Sequence, residues 1–529
     1  INISILTDFL IKLMKLPLSF FDSKHTGDIL QRMNDHSRIE SFLTGSSLNT
    51  LFSLINLLVL SIVLAIFNVG IFAVFALGAI VYSSWVILFL KRRKILDYKR
   101  FAVAAREQSL TIQMVQGMQE IKLNGVERPI RWTWEGLQAK LFRLSMKGLS
   151  LNQWQQAGAF FVNEGKNIFI TFLSAQAVID GQMTLGSMLA VQYIIGQLNS
   201  PIEQMIGFVQ SAQNARISMD RLNEFHTMED EEPEGKHLLQ ELPASFTKKL
   251  MGGKMPFPSV FAETKGWSVS DELISISGSD DISNTYISFE NVSFTYPGAG
   301  NEPVLQNINL KIPKGKTTAI VGVSGSGKTT LLKLLLKFYE PQKGEIKLDN
   351  TSLNHISHKL WRSHCGVVMQ ESFIFSDSIA KNIAVGLEKP DMERLRHAAE
   401  VANVRAFIEE LPLGYNTKIG SEGTGISMGQ KQRILIARAV YRDPEFIFFD
   451  EATNSLDANN ESKIIQNLES FFKHRTVVVV AHRLSTVKHA DMIVVINKGV
   501  IAEKGTHLEL TSLKGEYYTL VKNQLELGS

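Results

Sequence analysis

Along the first part of the chain apolar residues come in long unbroken runs. Leu48–Phe67 and Ile71–Leu90 are each about 20 residues without a formal charge, the length a helix needs to cross a bilayer. Asn68-Val69-Gly70 between them reads as a tight turn, and Lys91-Arg92-Arg93-Lys94 closes the second run. Basic residues stay on the cytoplasmic side, which puts the Asn68 turn outside. Two weaker spans follow, over about 157–179 and 185–209. The first carries Glu164 and Lys166; the second carries Gln192, Gln197, Pro201 and Glu203. Ionisable groups inside a span face a wet cavity or a partner. Glu164 and Lys166 therefore either border a translocation path or pair with neighbouring helices. Residues 91–156 are rich in Lys, Arg, Glu, Gln and Leu and predict two long helices projecting on the cytoplasmic side. Residues 1–47 read as the cytoplasmic return of an earlier hairpin, broken at Pro17–Asp22 and again at Gly27-Asp28.

The pattern changes after residue 228. Residues 229–285 open with Glu229-Asp230-Glu231-Glu232-Pro233, pass through Gly252-Gly253, Pro256 and Pro258, and keep no period. They read as a linker without an assigned role. From Tyr286 onward short apolar strands alternate with helical stretches: Thr317–Val321, Phe446–Phe449, Thr476–Val480 and Met492–Ile496. That is the pattern of a mostly parallel sheet flanked by helices. The expected division is a transmembrane domain over 1–228, the linker 229–285, and an α/β domain over 286–529.

Composition adds little. A net charge of +3 with 20% charged residues gives no reason to expect nucleic acid as a partner. The single cysteine, Cys365, allows no intrachain disulfide and reads as a buried reduced thiol. No His/Cys cluster has zinc spacing. The chain starts at Ile1 rather than Met and reads as a fragment of a longer protein.

Chemistry concentrates in the second half. Gly322-Val323-Ser324-Gly325-Ser326-Gly327-Lys328-Thr329 fits G-x-x-x-x-G-K-[ST], after an apolar strand and before an apolar helix that starts with Thr330. Glycines let successive N–H groups turn inward around a polyphosphate, and the helix N-terminus adds positive charge. Lys328 would reach the terminal phosphates and the Thr329 hydroxyl would ligate magnesium. Phe446–Glu451 is a buried strand ending in two carboxylates. Asp450 suits the magnesium shell, and Glu451 is placed to orient or deprotonate the attacking water. His482 and Gln370, each after an apolar strand, are weak signals alone.

In order, these elements resemble the nucleotide-binding domain of an ABC transporter over residues 286–525. The resemblance implies that Tyr296 stacks on adenine, that Gly322–Thr329 with Thr330 hold ATP, and that Gln370 senses magnesium and the membrane helices. It makes Ile426-Ser427-Met428-Gly429-Gln430 the signature segment, with Ser427 and Gly429 at the γ-phosphate and Gln430 among the nucleotide-binding residues. Asp450, Glu451 and His482 take the metal, catalytic and switch roles, and Asp457 closes the Ser455-Leu456-Asp457 loop. Two positions depart from the family. Met428 replaces the usual glycine, which would cost about 1 kcal/mol if φ there were positive. Ser421 stands where related exporters often carry Glu.

The membrane half also resembles exporters, which have six spans per subunit; four are counted here, with coupling helices expected near 17–29 and 114–125. The segments Gly117–Asn124 and Ser200–Glu203 are similar to those of bacterial peptide and bacteriocin exporters and of type I secretion exporters. The fold class expected is thus an α-helical transmembrane domain followed by an ABC-type P-loop domain. The implied activity is ATP- and Mg2+-dependent export of a peptide or small protein by a dimer, homo- or heteromeric, in membrane lipid. The implied location is the bacterial inner membrane with the ATPase in the cytoplasm. Processing of a leader peptide would need a domain not in this chain. Rival readings are a lipid or multidrug exporter, a soluble ABC ATPase acting on DNA or ribosomes, and a non-hydrolysing regulatory subunit.

Overall fold

The structure is a computed structural model that describes residues 2–23, 26–233, 238–239, 286–298, 301–420, 423–452, 458–481 and 487–527. The chain forms two compact units, Ile1–Pro233 and Glu234–Ser529.

The first unit is entirely helical among its described residues. Its helices are α1 (Asn2–Lys15), α2 (Leu18–Ser23), α3 (Thr26–Ser41), α4 (Ser47–Phe67), α5 (Val69–Gln116), α6 (Met118–Asn124), α7 (Glu127–Ile179) and α8 (Leu185–His226), with a π-helical turn Phe42–Ser46 between α3 and α4. Asn68 caps α5 by accepting from the Ile71 N–H at 3.1 Å, so the turn between the two apolar runs costs one residue. Asn49–Phe67 and Val69–Gln116 are long and apolar enough to cross a membrane. At 1.5 Å per residue the 48-residue α5 is about 72 Å long, more than twice a bilayer core. The 157–179 stretch is the last part of the single helix α7, and 185–209 is the first part of α8.

Apolar packing joins α4, α5, α7 and α8 through Leu64, Phe75, Ile170, Val191 and Leu198, all buried. At the other end Phe9 stacks on Phe225 at 5.4 Å, and Phe20 meets the same ring edge-on at 5.1 Å. Pro17 separates α1 from α2 as expected. A second boundary falls beside Gly27-Asp28 as expected, since α2 ends at Ser23 and α3 begins at Thr26; Gly27 lies in the first turn of α3, and a Cβ there would fall 2.4 Å from Ser109 Oγ and 2.5 Å from the Ala105 carbonyl of α5. This glycine lets two helices touch backbone to backbone.

Lys166 is 8% exposed and donates to Asn163 Oδ1 at 2.9 Å and to Asn199 Oδ1 at 3.1 Å, with its ammonium over the Phe75 ring. Of the two placements left open by its sequence position, this one is a pairing within the bundle. Beyond the apolar spans, charges knit α3, α5 and α8. Arg221, 2% exposed, holds Asp35 at 2.7 Å and Asp97 at 2.9 Å, and Arg38 holds Asp97 at 3.0 Å.

The second unit carries two main sheets. The smaller one orders β2 (Leu305–Pro313), β1 (Tyr286–Phe294), β4 (Lys343–Leu348) and β5 (Thr351–Ser352). The larger one orders β12 (Val500–Gly505), β11 (Met492–Asn497), β3 (Thr317–Val321), β10 (Thr476–Val480), β9 (Phe446–Asp450) and β6 (Cys365–Val368). Asp377–Ser378 (β7) and Lys418–Ile419 (β8) form a separate pair. Within the large sheet β11, β3, β10, β9 and β6 run parallel, and only β12 is antiparallel. Continuous Val, Ile and Phe runs suit strands covered on both faces. Ile447, Phe449, Val477 and Val479 enter one core, while Phe446, Phe448, Val478 and Val480 enter the other. Cys365 is buried, and its thiol donates to the Trp361 carbonyl at 3.1 Å.

One further contact belongs to this unit. Leu239 N donates to His355 O at 2.7 Å and Ser357 N donates to Leu239 O at 3.3 Å, a one-residue parallel bridge to Ile356.

Candidate nucleotide site

Parallel pairing sets the site. Val480 of β10 lies level with Ile320 of β3 and with Asp450 of β9, and Val368 of β6 lies level with Phe449. Everything that follows β3, β9 and β6 therefore leaves the sheet at one edge, where ligands bind in open α/β sheets. The glycine loop follows β3, Glu451 follows β9, and Gln370 follows β6 two residues on. His482, in the segment after β10, and Asp457 and Ser421 lie outside the described residues.

The loop is built for close approach. Gly322 has φ 149° and a Cβ there would sit 2.1 Å from the Ile496 carbonyl of β11. Gly327, at φ 107°, is the N-cap of α9 (Lys328–Leu335), and a Cβ would meet Leu305 at 2.7 Å. Both positions demand glycine for space and for backbone. Ser324 and Gly325 are exposed on the rim, Thr329 is half-buried in the first turn of α9, and Thr330 is buried behind it. Lys328, 5% exposed, turns back on its own loop and donates to Gly322 O at 2.9 Å and Val323 O at 2.8 Å. Burial pushes its ammonium down in pKa, while Glu451 and Asp450 push it up, which sets both carboxylates in electrostatic reach of the loop. Ser326 Oγ is buried and finds no hydrogen-bond partner among the described residues. A glycine-shaped loop at a helix N-terminus, a buried ammonium and a spare hydroxyl fit a polyphosphate.

Asp450 is fully buried at the end of β9. Glu451 takes φ +53°, the left-handed region, at about 1 kcal/mol for a non-glycine residue. Its peptide is tied on both sides: its N–H donates to Val480 O at 3.0 Å, and its carbonyl accepts from Gln432 Nε2 at 3.4 Å. Gln432 belongs to the helix Met428–Tyr441 that begins at the signature segment. This link between signature helix and carboxylate strand is one that sequence reasoning missed; its only sequence signal is position in the run Lys431-Gln432-Arg433.

Met428 is the first residue of that helix, is absent from the positive-φ residues, and is 64% exposed. The condition for a backbone penalty, a positive φ, is not met. Ser427 is the N-cap, at φ −66° and ψ 159°. Its Oγ accepts from Gln430 N at 3.2 Å while Gln430 Oε1 accepts from Ser427 N at 2.8 Å. The two polar signature residues thus form a reciprocal capping box, and Gly429 sits between them in the first turn.

Tyr296 is half-buried; its hydroxyl lies 3.1 Å from Thr330 Oγ1 and its ring meets Tyr339 edge-on at 5.2 Å, with the Lys333 ammonium 5.7 Å from its centre. Gln370 is exposed, just before the aromatic pair Phe373 and Phe375.

Strand–loop–helix geometry, a buried loop lysine and an Asp-Glu strand end define an ATP-binding P-loop domain, here on one chain with a long-helix bundle. The chain belongs to the ABC transporter family: residues 305–454 match the ABC transporter family and residues 1–202 its transmembrane region. It is 33% identical over 519 residues to the leukotoxin translocation ATP-binding protein LktB of Mannheimia haemolytica, covering 98% of this chain and 67% of that protein. It is 32% identical over 512 residues to the alpha-hemolysin translocation ATP-binding protein HlyB of Escherichia coli O157:H7, covering 96% of this chain and 66% of that one. The chain thus spans about two thirds of the length of these relatives. A bacterial Atm1-family ABC exporter solved with ATP bound shares the fold at a TM-score of 0.83 and 24% identity, covering 99% of this chain and 85% of that one.

Proposed function

We propose that this chain is the ATP-hydrolysing subunit of an exporter that moves a polypeptide out of the cytoplasm across the bacterial inner membrane. The observation that carries the reading is the common strand edge that gathers the glycine loop, Asp450, Glu451 and Gln370 beneath one sheet. Names of the relatives, both translocation ATP-binding proteins for toxins, favour a polypeptide over a lipid or drug.

The glycine loop with Lys328 would hold the phosphates, with Tyr296 at the adenine. Thr329, Asp450 and Gln370 would supply the oxygens for magnesium, which would neutralise phosphate charge when bound. Glu451, its backbone clamped between β10 and the signature helix, holds the carboxylate that takes a proton from water, assisted by His482. Each chain carries one glycine loop and one signature segment, so a second copy would complete each site with Ser427, Gly429 and Gln430, and Asp457 would lie at the seam. Domain pairing would then be transmitted through the short helices near 17–29 and 114–125.

The test is phosphate release by the chain in proteoliposomes. Glu451→Gln should lower turnover by about 10²-fold or more while leaving ATP binding intact. Equal turnover in wild type and Glu451→Gln would return the chain to a regulatory role. Uptake of a polypeptide into inverted vesicles, dependent on ATP, tests the cargo class; uptake of lipid or drug alone would replace it.

A further inference from the structure

Outside the nucleotide site, the feature with unspent chemistry is a cavity of about 640 Å³ among α3, α5, α7 and α8, within the size range of ligand sites. It lies where α5 has just left its uncharged run, beside the basic cluster. Three guanidiniums line it, those of Arg38, Arg93 and Arg100, against one carboxylate, Asp97. Asp97 is already engaged, by Arg38 at 3.0 Å and by Arg221 at 2.9 Å. Arg93 is left over: its Nη1 is buried and finds no acceptor among the described residues. Burial pushes this guanidinium down in pKa, Asp97 pushes it up, and Arg38 pushes it down again. Buried donors of a cation are costly when unmatched, and a planar guanidinium matches a carboxylate in two bonds.

The rest of the wall decides between anions. Asn152, Gln155 and Asn214 present amides, each both donor and acceptor, and Ser145 and Ser211 present hydroxyls. A phosphate offers acceptors alone, whereas a peptide offers N–H, C=O and, from Asp or Glu, carboxylate. The volume also exceeds what a single small anion fills.

We propose that this cavity is a binding site for an acidic polypeptide segment, with Arg93 as the residue that receives a side-chain carboxylate. The assignment rests on the reading of the chain as a polypeptide exporter and names the chemistry of its cargo at that point.

The full chain in phosphatidylcholine nanodiscs is titrated with a fluorescent ten-residue Glu/Gly peptide and with its Gln/Gly counterpart as competitor. The expected result is binding of the Glu peptide that weakens with salt, no competition from the Gln peptide, and a loss of at least about tenfold in affinity for Arg93→Gln. Arg93→Lys should fall between, having charge without the fork. Folding of each variant is read from its elution profile and unfolding midpoint. Should Arg93→Gln fail to fold, Arg100→Gln, exposed on the same wall, carries the test with a smaller expected loss. No binding, equal competition by the Gln peptide, or unchanged affinity in folded variants would overturn the site. Displacement of the peptide by phosphatidylglycerol in the disc would reassign the cavity to a lipid headgroup. Wild-type vesicles that take up polypeptide without binding the Glu peptide would sink this site alone; vesicles that take up none would sink the export reading.

Discussion

Met428 opens its helix with its side chain in solvent, so its replacement by glycine brings no relief. Met428→Gly should lower the stability of the ATPase unit by about 0.5–1 kcal/mol, the helix cost of glycine. Glu451 is the opposite case. Its left-handed φ means that Glu451→Gly should hold or raise the unfolding midpoint while turnover collapses, a measurable split between stability and activity. Cys365, whose thiol burial pushes far up from its ordinary pKa, should resist maleimide at neutral pH until the protein is unfolded. Letters alone placed Glu451 at the end of an apolar strand, on the same sheet edge as the glycine loop, and there the structure has it. They were not read as showing that Ser427 and Gln430 cap one another, since the resemblance drew both residues toward a ligand role.

At the scale of elements, the two strong spans were plain because an uncharged run of that length has few other uses. The glycine at 27 was legible as a helix boundary, but its use as a contact point was hidden, because the backbone it meets at Ala105 and Ser109 lies some 80 positions away. Gly27→Ala should force α3 off α5 and lower the melting temperature of the detergent-solubilised protein, at a cost of about 1–3 kcal/mol. Ser109→Gly should restore only part of it, since the Ala105 carbonyl stays. Arg221→Met should cost about 3 kcal/mol by taking from buried Asp35 its nearer cation and leaving it Arg38 alone, at 3.6 Å. That pairing too was hidden, its members being spread over α3, α5 and α8.

For the whole molecule, pairing of two copies predicts that a mixture of wild type and Glu451→Gln chains loses turnover faster than the wild-type fraction falls. A linear decline would mean each chain works alone. The bridge at Leu239 bears on how the chain is strung. Tyr286, where β1 begins, is held by Asp349, and Leu239 is held by Ile356, so one short stretch of the ATPase unit grips both flanks of residues 240–285. Only five residues, 234–238, separate the end of the helical unit from that grip. Lengthening 240–285 therefore adds nothing to the rope between the two halves. A fluorescent protein spliced between 258 and 275 should leave ATP turnover within about twofold, a ready-made cargo hook on a working machine.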